Sequence, residues 1–206
     1  MTFFKKREHH FQPIRADGKI DTMPFLLAAE DNILPFFDVM GSTAFYPVKS
    51  DIAGNITKLT KKYELDPEKY STLQDMVDCE IEAKTITDKG SATDALIWLK
   101  RALQFIHGFV QNLLDGVNDG ESLRPCAMKS YDANLKPYHG WMVQNIFSLI
   151  TRAVPNRKDF IEGLAQGEKE EAVLDDLREF LVLFGKNIDV IVEMYKSKDL
   201  DMQFKV

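Results

Sequence analysis

An aspartate, an asparagine and a lysine stand at helical spacing near the end of the first quarter of the chain. Asp51, Asn55 and Lys58 occupy positions i, i+4 and i+7, and residues at this spacing share one face of a helix. A carboxylate accepts hydrogen bonds, an amide donates and accepts them, and a lysine only donates them. The row therefore suits a polyhydroxylated ligand that offers both kinds of partner. The alternative interpretation is a solvated helix face.

A single histidine interrupts an otherwise apolar row later in the chain. His139 falls between Leu135 and the pair Met142 and Ile146 at helical spacing, so we expect its imidazole to face the interior. One interpretation is a core histidine that a buried acceptor satisfies. The other is a hydrogen-bond donor at the mouth of a buried pocket.

The two tryptophans both lie away from the centre of an apolar stripe. Trp98 borders Arg101 at the edge of its helix, where it either packs or stacks against a sugar ring. Trp141 shares its predicted face with Gln144 and Ser148, which leaves little for an indole to bury against. An exposed indole is either inconsequential or suited to a lipid head-group boundary, since the ring is amphipathic.

Motifs for catalysis are not recognisable in this sequence. It has no nucleophile elbow, glycine-rich phosphate loop or paired-histidine metal motif. Asp51 and His139 could form an acid/base dyad, but no third group accompanies them. We therefore expect a protein that is not an enzyme and needs no cofactor or metal.

Amphipathic helical patterns recur along the chain, and alternating strand patterns do not. Apolar residues at helical spacing predict helices near residues 22–28, 33–40, 51–63, 65–82, 93–115, 126–154, 158–164 and 170–195. Proline disrupts a helix interior, so Pro137 predicts a kink near Ala133. About eight helices without a sheet indicate a single all-α domain.

The composition is that of a folded, water-soluble chain. It has 206 residues, of which 45% are hydrophobic and 28% charged, and a net charge of -6. The negative charge argues against nucleic acid as a partner, and no apolar run is long enough to span a bilayer. Two cysteines without metal-ligand spacing and no secretory signal predict a cytoplasmic protein.

Four short segments together resemble the glycolipid transfer protein family. They are Asp51-Ile-Ala-Gly-Asn-Ile-Thr-Lys58, Trp98-Leu-Lys-Arg101, Tyr138-His-Gly-Trp141 and Phe204-Lys-Val206. The resemblance implies an all-α, two-layer sandwich of about eight helices that encloses a lipid-binding tunnel. It also implies a protein that carries one glycosphingolipid between membranes without chemical change and contacts the membrane surface only transiently. The oligomeric state stays open, with a monomer as the default expectation.

The resemblance also implies roles for individual residues. Asp51, Asn55 and Lys58 would hydrogen-bond the sugar, Trp98 would stack beneath it, and Asp51 and His139 would bracket the ceramide amide. Trp141 would contact the membrane. The hydrocarbon chains would lie among a set of mostly aromatic side chains: Phe36, Phe37, Phe45, Val48, Phe105, Phe109, Leu135, Phe147, Phe160, Phe180 and Val206.

Three features depart from the family pattern. Phe204 stands where tyrosine is common, and Asp94 occupies a position near the head group that is often apolar. Residues 1–17 resemble nothing in the family, so the domain is expected at 18–206 after a tail that is either disordered or a basic docking segment. The alternatives that stay open are a ceramide 1-phosphate-type transfer or sensing protein and, less favoured, a glycolipid-modifying enzyme.

Overall fold

Helices account for nearly all the regular structure of this chain. The structure is a computed structural model that describes residues 1–41 and 43–201. Within these residues the only strand-like pairings are isolated bridges, so the expected all-α fold of about eight helices is confirmed. The helices are α1 (Thr22–Gly41), α2 (Tyr46–Leu65), α3 (Leu73–Ala83), α4 (Ala92–Leu114), α5 (Arg124–Asn134), α6 (Trp141–Ile150), α7 (Arg157–Ala165) and α8 (Glu170–Ser197).

Helix α4 lies at the centre of the molecule. It packs against α2, α3, α5 and α8 because its apolar residues form a continuous stripe of the kind that a core helix buries. The six residues of that stripe are all buried: Leu96, Leu99, Leu103, Ile106, Val110 and Leu113. A helix that is fixed on several sides provides a rigid support for the polar residues near its start.

A buried carboxylate from α3 fixes the first turn of α4. The side chain of Glu80 accepts hydrogen bonds from the backbone N–H groups of Ala92 and Thr93, each at 2.9 Å, and from the Thr93 hydroxyl at 2.8 Å. The ammonium of Lys62 lies 3.2 Å from the same carboxylate. A helix N-terminus has unpaired N–H groups and a partial positive charge, so this arrangement stabilises it.

The predicted helix over residues 126–154 is two helices with a break between them. α5 ends at Asn134, a single 3-10 turn covers Lys136–Tyr138, and α6 begins at Trp141. The expected kink near Ala133 is thus a full interruption, since Pro137 cannot donate a backbone hydrogen bond and restricts the residue before it. His139 consequently lies in extended backbone inside the break and not on a helical row.

The N-terminal segment packs onto the helices, in contrast to the tail expected for residues 1–17. Phe3, Phe4 and Phe11 are buried, and the backbone N–H of Phe3 donates to the carbonyl of Leu164 at 2.9 Å. Leaving three phenylalanines in water would cost several kcal/mol, at about 1.5–3 kcal/mol for each. The boundary expected at residue 18 therefore has no counterpart in the packing.

Candidate functional site

One cleft brings together all five residues that the sequence associates with a head group. Its walls come from α2, α4, α6 and the break between α5 and α6, and its volume is about 430 Å³. Asp51, Asn55, Lys58, Trp98 and His139 all line it, although they come from three separate parts of the chain. A volume of this size is typical of a small-molecule site.

The polar row on α2 is a continuous chain of hydrogen bonds. The Asn55 amide donates to the Asp51 carboxylate at 3.2 Å and accepts from the Lys58 ammonium at 3.1 Å. Asn55 is buried, whereas Asp51 and Lys58 are open to solvent. The two outer residues orient the amide, and each keeps further donors or acceptors for a ligand.

The Asp51 carboxyl has an altered affinity for protons. Although the side chain is exposed at the cleft mouth, partial desolvation by the cleft walls raises its pKa; the charge of Lys58 opposes that increase, and the charge of Asp94 adds to it. The influence of Asp94 places a second carboxylate close enough to Asp51 to interact electrostatically. The cleft therefore contains two acidic side chains and one lysine.

Trp98 is held in place by its neighbours. The guanidinium of Arg101 lies 4.8 Å from the centre of the indole and 3.5 Å from the centre of the Tyr138 ring. Arg101 is itself buried and lies 3.2 Å from the carboxylate of Asp201. Cation–π contacts of this kind restrict the orientation of the ring, so the indole is presented to the cleft in a fixed position.

His139 forms its hydrogen bond with a tyrosine that the sequence reasoning missed. Its Nδ1 atom lies 3.1 Å from the hydroxyl oxygen of Tyr131. Burial lowers the pKa of His139, and the charge of Arg101 lowers it further. Burial also raises the pKa of Tyr131 to about 12, so the hydroxyl keeps its proton. A neutral imidazole that accepts at Nδ1 carries its own proton on Nε2, where a ligand can use it.

The inner wall of the cleft is apolar. Three of the residues assigned to the hydrocarbon tunnel line it, namely Val48, Leu135 and Phe147. Ile52, Val143, Ile146 and Ile150 line it as well, and the sequence reasoning did not select them. Ile52 reaches this wall from α2, whereas the orientation of α6 places Val143, Ile146 and Ile150 on it.

Six further residues assigned to the tunnel lie in the core between the helices. All six side chains are fully buried: Phe36, Phe37, Phe45, Phe105, Phe109 and Phe160. Phe36, Phe109 and Phe160 pack edge to face with ring centres 5.5–6.2 Å apart. Phe105 makes a similar contact with Phe147 at 5.5 Å, so aromatic packing extends inward from the cleft wall by one ring.

The remaining two residues assigned to the tunnel are Phe180 and Val206. Phe180 is stacked on Phe4 with ring centres 3.8 Å apart, so it packs beneath the N-terminal segment. Val206 lies outside the described residues, as does Phe204. The position of Phe180 follows from the packing of the N-terminus, which the sequence reasoning treated as a tail.

Helix α6 has an exposed apolar face. Trp141 is 78% exposed, Met142 69% and Leu149 60%, and Ile146 is exposed on the same helix while also lining the cleft. The expectation that Met142 and Ile146 face the interior in line with His139 is wrong, because the break at Pro137 resets the helical register. Large exposed apolar surfaces of this kind usually have a binding role.

These features define a class of protein, namely an all-α protein that binds an amphipathic ligand. A cleft with hydrogen-bonding groups at its mouth and apolar side chains behind them, in an all-α fold, fits an amphipathic ligand. Within the described residues, no helix combines the length and apolar character that crossing a bilayer requires.

Comparison with known proteins agrees with this class. The family model described as glycolipid transfer protein matches residues 20–166. The glycolipid transfer protein of Danio rerio is 42% identical over 205 residues, which cover 97% of this chain and 98% of the relative. The structure of FAPP2, described as selecting simple glycosphingolipids with the same fold, superposes with a TM-score of 0.91 at 32% identity and covers 100% of both chains.

A fungal glycolipid transfer protein gives a similar result. Its structure has a TM-score of 0.85 at 35% identity and covers 98% of this chain and 100% of that chain. The chain belongs to the glycolipid transfer protein family. The expected two-layer helical fold is therefore confirmed, and the matches include part of residues 1–17, contrary to the expectation that this segment resembles nothing in the family.

Proposed function

We propose that the protein binds a single glycosphingolipid in this cleft and moves it between membranes without chemical change. The observation that carries the proposal is the meeting of four polar side chains and Trp98 with an apolar wall in one cleft, bordered by an exposed apolar helix face. A glycosphingolipid matches this arrangement, since its sugar and amide are polar and its two chains are hydrocarbon. Family membership supports the same function.

The polar residues suit the sugar and the amide. In this proposal Asp51, Asn55 and Lys58 hydrogen-bond the sugar hydroxyls, and Trp98 stacks against the ring. Asp51 also accepts from the amide N–H, and His139 donates from Nε2 to the amide carbonyl. Burying the amide N–H or the amide carbonyl unpaired would cost about 1–3 kcal/mol. The two contacts from Asp51 and His139 avoid this cost when the lipid moves from the membrane into the cleft.

The hydrocarbon chains would enter beyond Phe147, which packs edge to face with Phe105. Phe109 lies one helical turn after Phe105 on α4 and packs edge to face with Phe36 and Phe160. In this proposal these rings rearrange around the apolar chains. Each buried methylene contributes about 0.8 kcal/mol. An apolar path of this kind offsets the cost of removing the chains from a bilayer.

The exposed face of α6 supports a peripheral contact with the membrane. Trp141, Met142 and Leu149 present apolar surface to solvent, and Tyr46 is exposed at the start of α2 beside the cleft residue Pro47. A net charge of -6 does not favour attraction to anionic lipids, so insertion of apolar side chains would provide the binding. The cleft mouth would then open towards the bilayer.

Transfer of a ceramide 1-phosphate is the nearest alternative, and the charges of the cleft oppose it. A phosphate site requires several arginine or lysine side chains. Here Lys58 faces two carboxylates, Asp51 and Asp94, and the nearby Arg101 lies against Trp98 and Tyr138.

A glycolipid-modifying enzyme is also less well supported. An acid/base dyad would pair His139 with a carboxylate, whereas Nδ1 of His139 lies next to the Tyr131 hydroxyl. Its lowered pKa also makes the imidazole a poor proton donor at neutral pH. We therefore propose that the lipid stays intact.

A vesicle transfer assay tests the proposal. Labelled galactosylceramide and labelled ceramide 1-phosphate are offered in parallel, and the donor and acceptor lipids are analysed by chromatography. We expect faster transfer of intact galactosylceramide. Faster transfer of ceramide 1-phosphate, or release of free galactose, would contradict it.

We further propose a monomer that acts in the cytoplasm. Cys79 and Cys126 are both free, which is usual in a reducing compartment. A single cleft per chain provides all the proposed contacts with one lipid. Light scattering should give the mass of one chain, and a dimer that persists at nanomolar concentration would contradict the proposed state.

A further inference from the structure

Asp94 lies at the junction of two concave surfaces. It belongs to the first turn of α4 and lines the cleft together with Asp51 and Trp98. It also lines an adjoining depression of about 610 Å³ formed with Lys58 and residues 86–90 of the loop between α3 and α4. Any part of a head group that extends from the cleft into this depression must pass Asp94 and Lys58.

The charges around this junction are unevenly distributed. The ionisable side chains that line the cleft are Asp51, Lys58, Asp94 and His139. Because burial keeps His139 neutral, two carboxylates face one ammonium. In the depression, Asp88 and Lys89 add one charge of each sign, so the excess negative charge remains at the cleft, between Asp51 and Asp94.

A carboxylate here has two consequences for a ligand. It accepts hydrogen bonds from hydroxyl groups, which a neutral sugar supplies in number. It also repels a sulfate or phosphate group, and like charges brought together at a binding surface cost several kcal/mol. Discrimination of this kind depends on a repulsive element as much as on an attractive one.

We propose, on the basis of the proposed function, that Asp94 is a specificity-determining residue that selects neutral sugar head groups and rejects sulfated ones. Its carboxylate accepts from hydroxyls of the sugar at the junction. A sulfate on the same sugar meets Asp94 and Asp51 together, with only Lys58 to compensate.

Asp94 also has a local structural role that the test must separate. Its backbone N–H donates to the hydroxyl of Ser91, the N-cap of α4, at 3.0 Å, so it is an acidic residue in a capped first turn. Asp159 occupies the same position in α7, where its N–H donates to the side chain of Asn156 at 2.8 Å. Asp159→Asn is therefore a matched control that lies on another helix.

The experiment measures the transfer of galactosylceramide and of its 3-sulfated form from neutral phosphatidylcholine vesicles. We expect the ratio of sulfated to neutral transfer to rise about tenfold in Asp94→Asn, because the repulsion is removed. The ratio should stay near the wild-type value in Asp94→Glu, which keeps the charge, and in Asp159→Asn. Asp94→Ser repeats the test if Asp94→Asn does not fold.

The outcomes separate the two proposals. A ratio in Asp94→Asn that stays within twofold of wild type, while wild type transfers galactosylceramide, overturns the role of Asp94 and leaves the proposed function standing. A rise of similar size in Asp159→Asn also overturns it, because a general change in charge would then explain the effect. A wild-type protein that transfers neither lipid overturns the proposed function itself.

Discussion

At the residue scale, the site depends on how neighbouring groups set the protonation of Asp51 and His139. Asp51 carries a raised pKa because of burial and the proximity of Asp94, and His139 a lowered pKa because of burial and Arg101. At neutral pH this leaves a carboxylate acceptor and a neutral imidazole. These are the states that an amide N–H and an amide carbonyl require.

Acid should weaken transfer before it unfolds the protein. Protonation of Asp51 removes an acceptor, and its raised pKa means that this happens above 3.8, the ordinary value of an aspartate. The sign for stability is opposite: an aspartate with a raised pKa makes ionisation costly in the folded state, so protonating it relieves that cost. We expect galactosylceramide transfer to decline on acidification while the melting temperature is still unchanged, as measured by parallel assays.

In Asp51→Asn the decline of galactosylceramide transfer on acidification should disappear from the remaining activity. If the transfer rate of the variant declined at the same pH and as steeply as that of wild type, a different group would be responsible.

Tyr131→Phe tests how the imidazole of His139 is positioned. Removal of the hydroxyl leaves Nδ1 without its partner, so the proton is no longer fixed on Nε2, and we expect transfer to fall about fivefold, equivalent to one neutral hydrogen bond of about 1 kcal/mol. Nitrogen NMR of the His139 side chain should report an Nε2–H tautomer in wild type and a mixture in the variant. Tyr63→Phe, on α2, is the control. An Nδ1–H tautomer in wild type would contradict this role.

The polar row on α2 could be predicted from the sequence alone, because the spacing of Asp51, Asn55 and Lys58 is a local property of one helix. It was not sufficient for Tyr131. The contact between Tyr131 and His139 crosses the end of α5 and a 3-10 turn, so its geometry depends on how the chain breaks. No spacing rule covers such a pair.

At the element scale, the start of α4 supports the site. Asp94 lies in the first turn of α4, which Glu80 fixes through three hydrogen bonds, and Trp98 lies one turn further along the helix. The same carboxylate lies near Lys62 of α2, so Glu80 joins the two helices that carry most of the polar residues of the cleft.

Replacing Glu80 should destabilise the fold. Glu80→Gln places an NH₂ group against backbone donors and leaves at least one of them unpaired, at a cost of about 2 kcal/mol. For a chain of this length we expect the melting temperature to fall by roughly 4–8 °C, as measured by circular dichroism. Glu82→Gln changes an exposed glutamate on the same helix and should have little effect. A Glu80→Gln protein that melts within 1 °C of wild type would contradict the capping role.

The break between α5 and α6 marks the limit of prediction for the elements. Pro137 signalled a disturbance, but the apolar spacing of Leu135, Met142 and Ile146 continued through it and favoured one helix. Gly140 then serves as the N-cap of α6 and starts a new register. Two segments with matching periodicity cannot be told from one helix by spacing alone.

At the scale of the whole molecule, the cleft and the exposed face of α6 adjoin each other. Ile146 belongs to both, so a membrane that covers this face also meets the cleft mouth. The sequence predicted Trp141 to be exposed but on a polar face. The apolar surroundings of its indole became apparent only from the orientation of α6 against the core.

Trp141→Ala should weaken binding to vesicles without unfolding the protein. The whole indole side chain has a surface of roughly 150–250 Å², and inserting about a third of it into the bilayer contributes about 1–2 kcal/mol. We therefore expect the affinity for neutral vesicles to fall about tenfold in a sedimentation assay. Val182→Ala removes another exposed apolar side chain, on α8, and is the control. Equal losses in the two variants would mean that α6 has no special part in docking.

The aromatic core could be predicted only in part. The sequence selected rings that are indeed buried, such as Phe36 and Phe109, but it assigned Phe180 to the same cavity. Phe180 packs with Phe4 because the N-terminal segment returns to α8, a contact between the two ends of the chain. Burial can be expected from residue type, whereas the identity of neighbours is a property of the tertiary fold.

We expect the polar row on α2 to hold the lipid during transfer, so an Asp51→Ala variant should lose transfer. Glu64→Ala removes a carboxylate from a different face of the same helix and is the matched control. The measurement is the rate at which labelled galactosylceramide moves between vesicles. We expect at least a tenfold loss for Asp51→Ala and an unchanged rate for Glu64→Ala, with both proteins folded. Transfer by Asp51→Ala at the wild-type rate would contradict it.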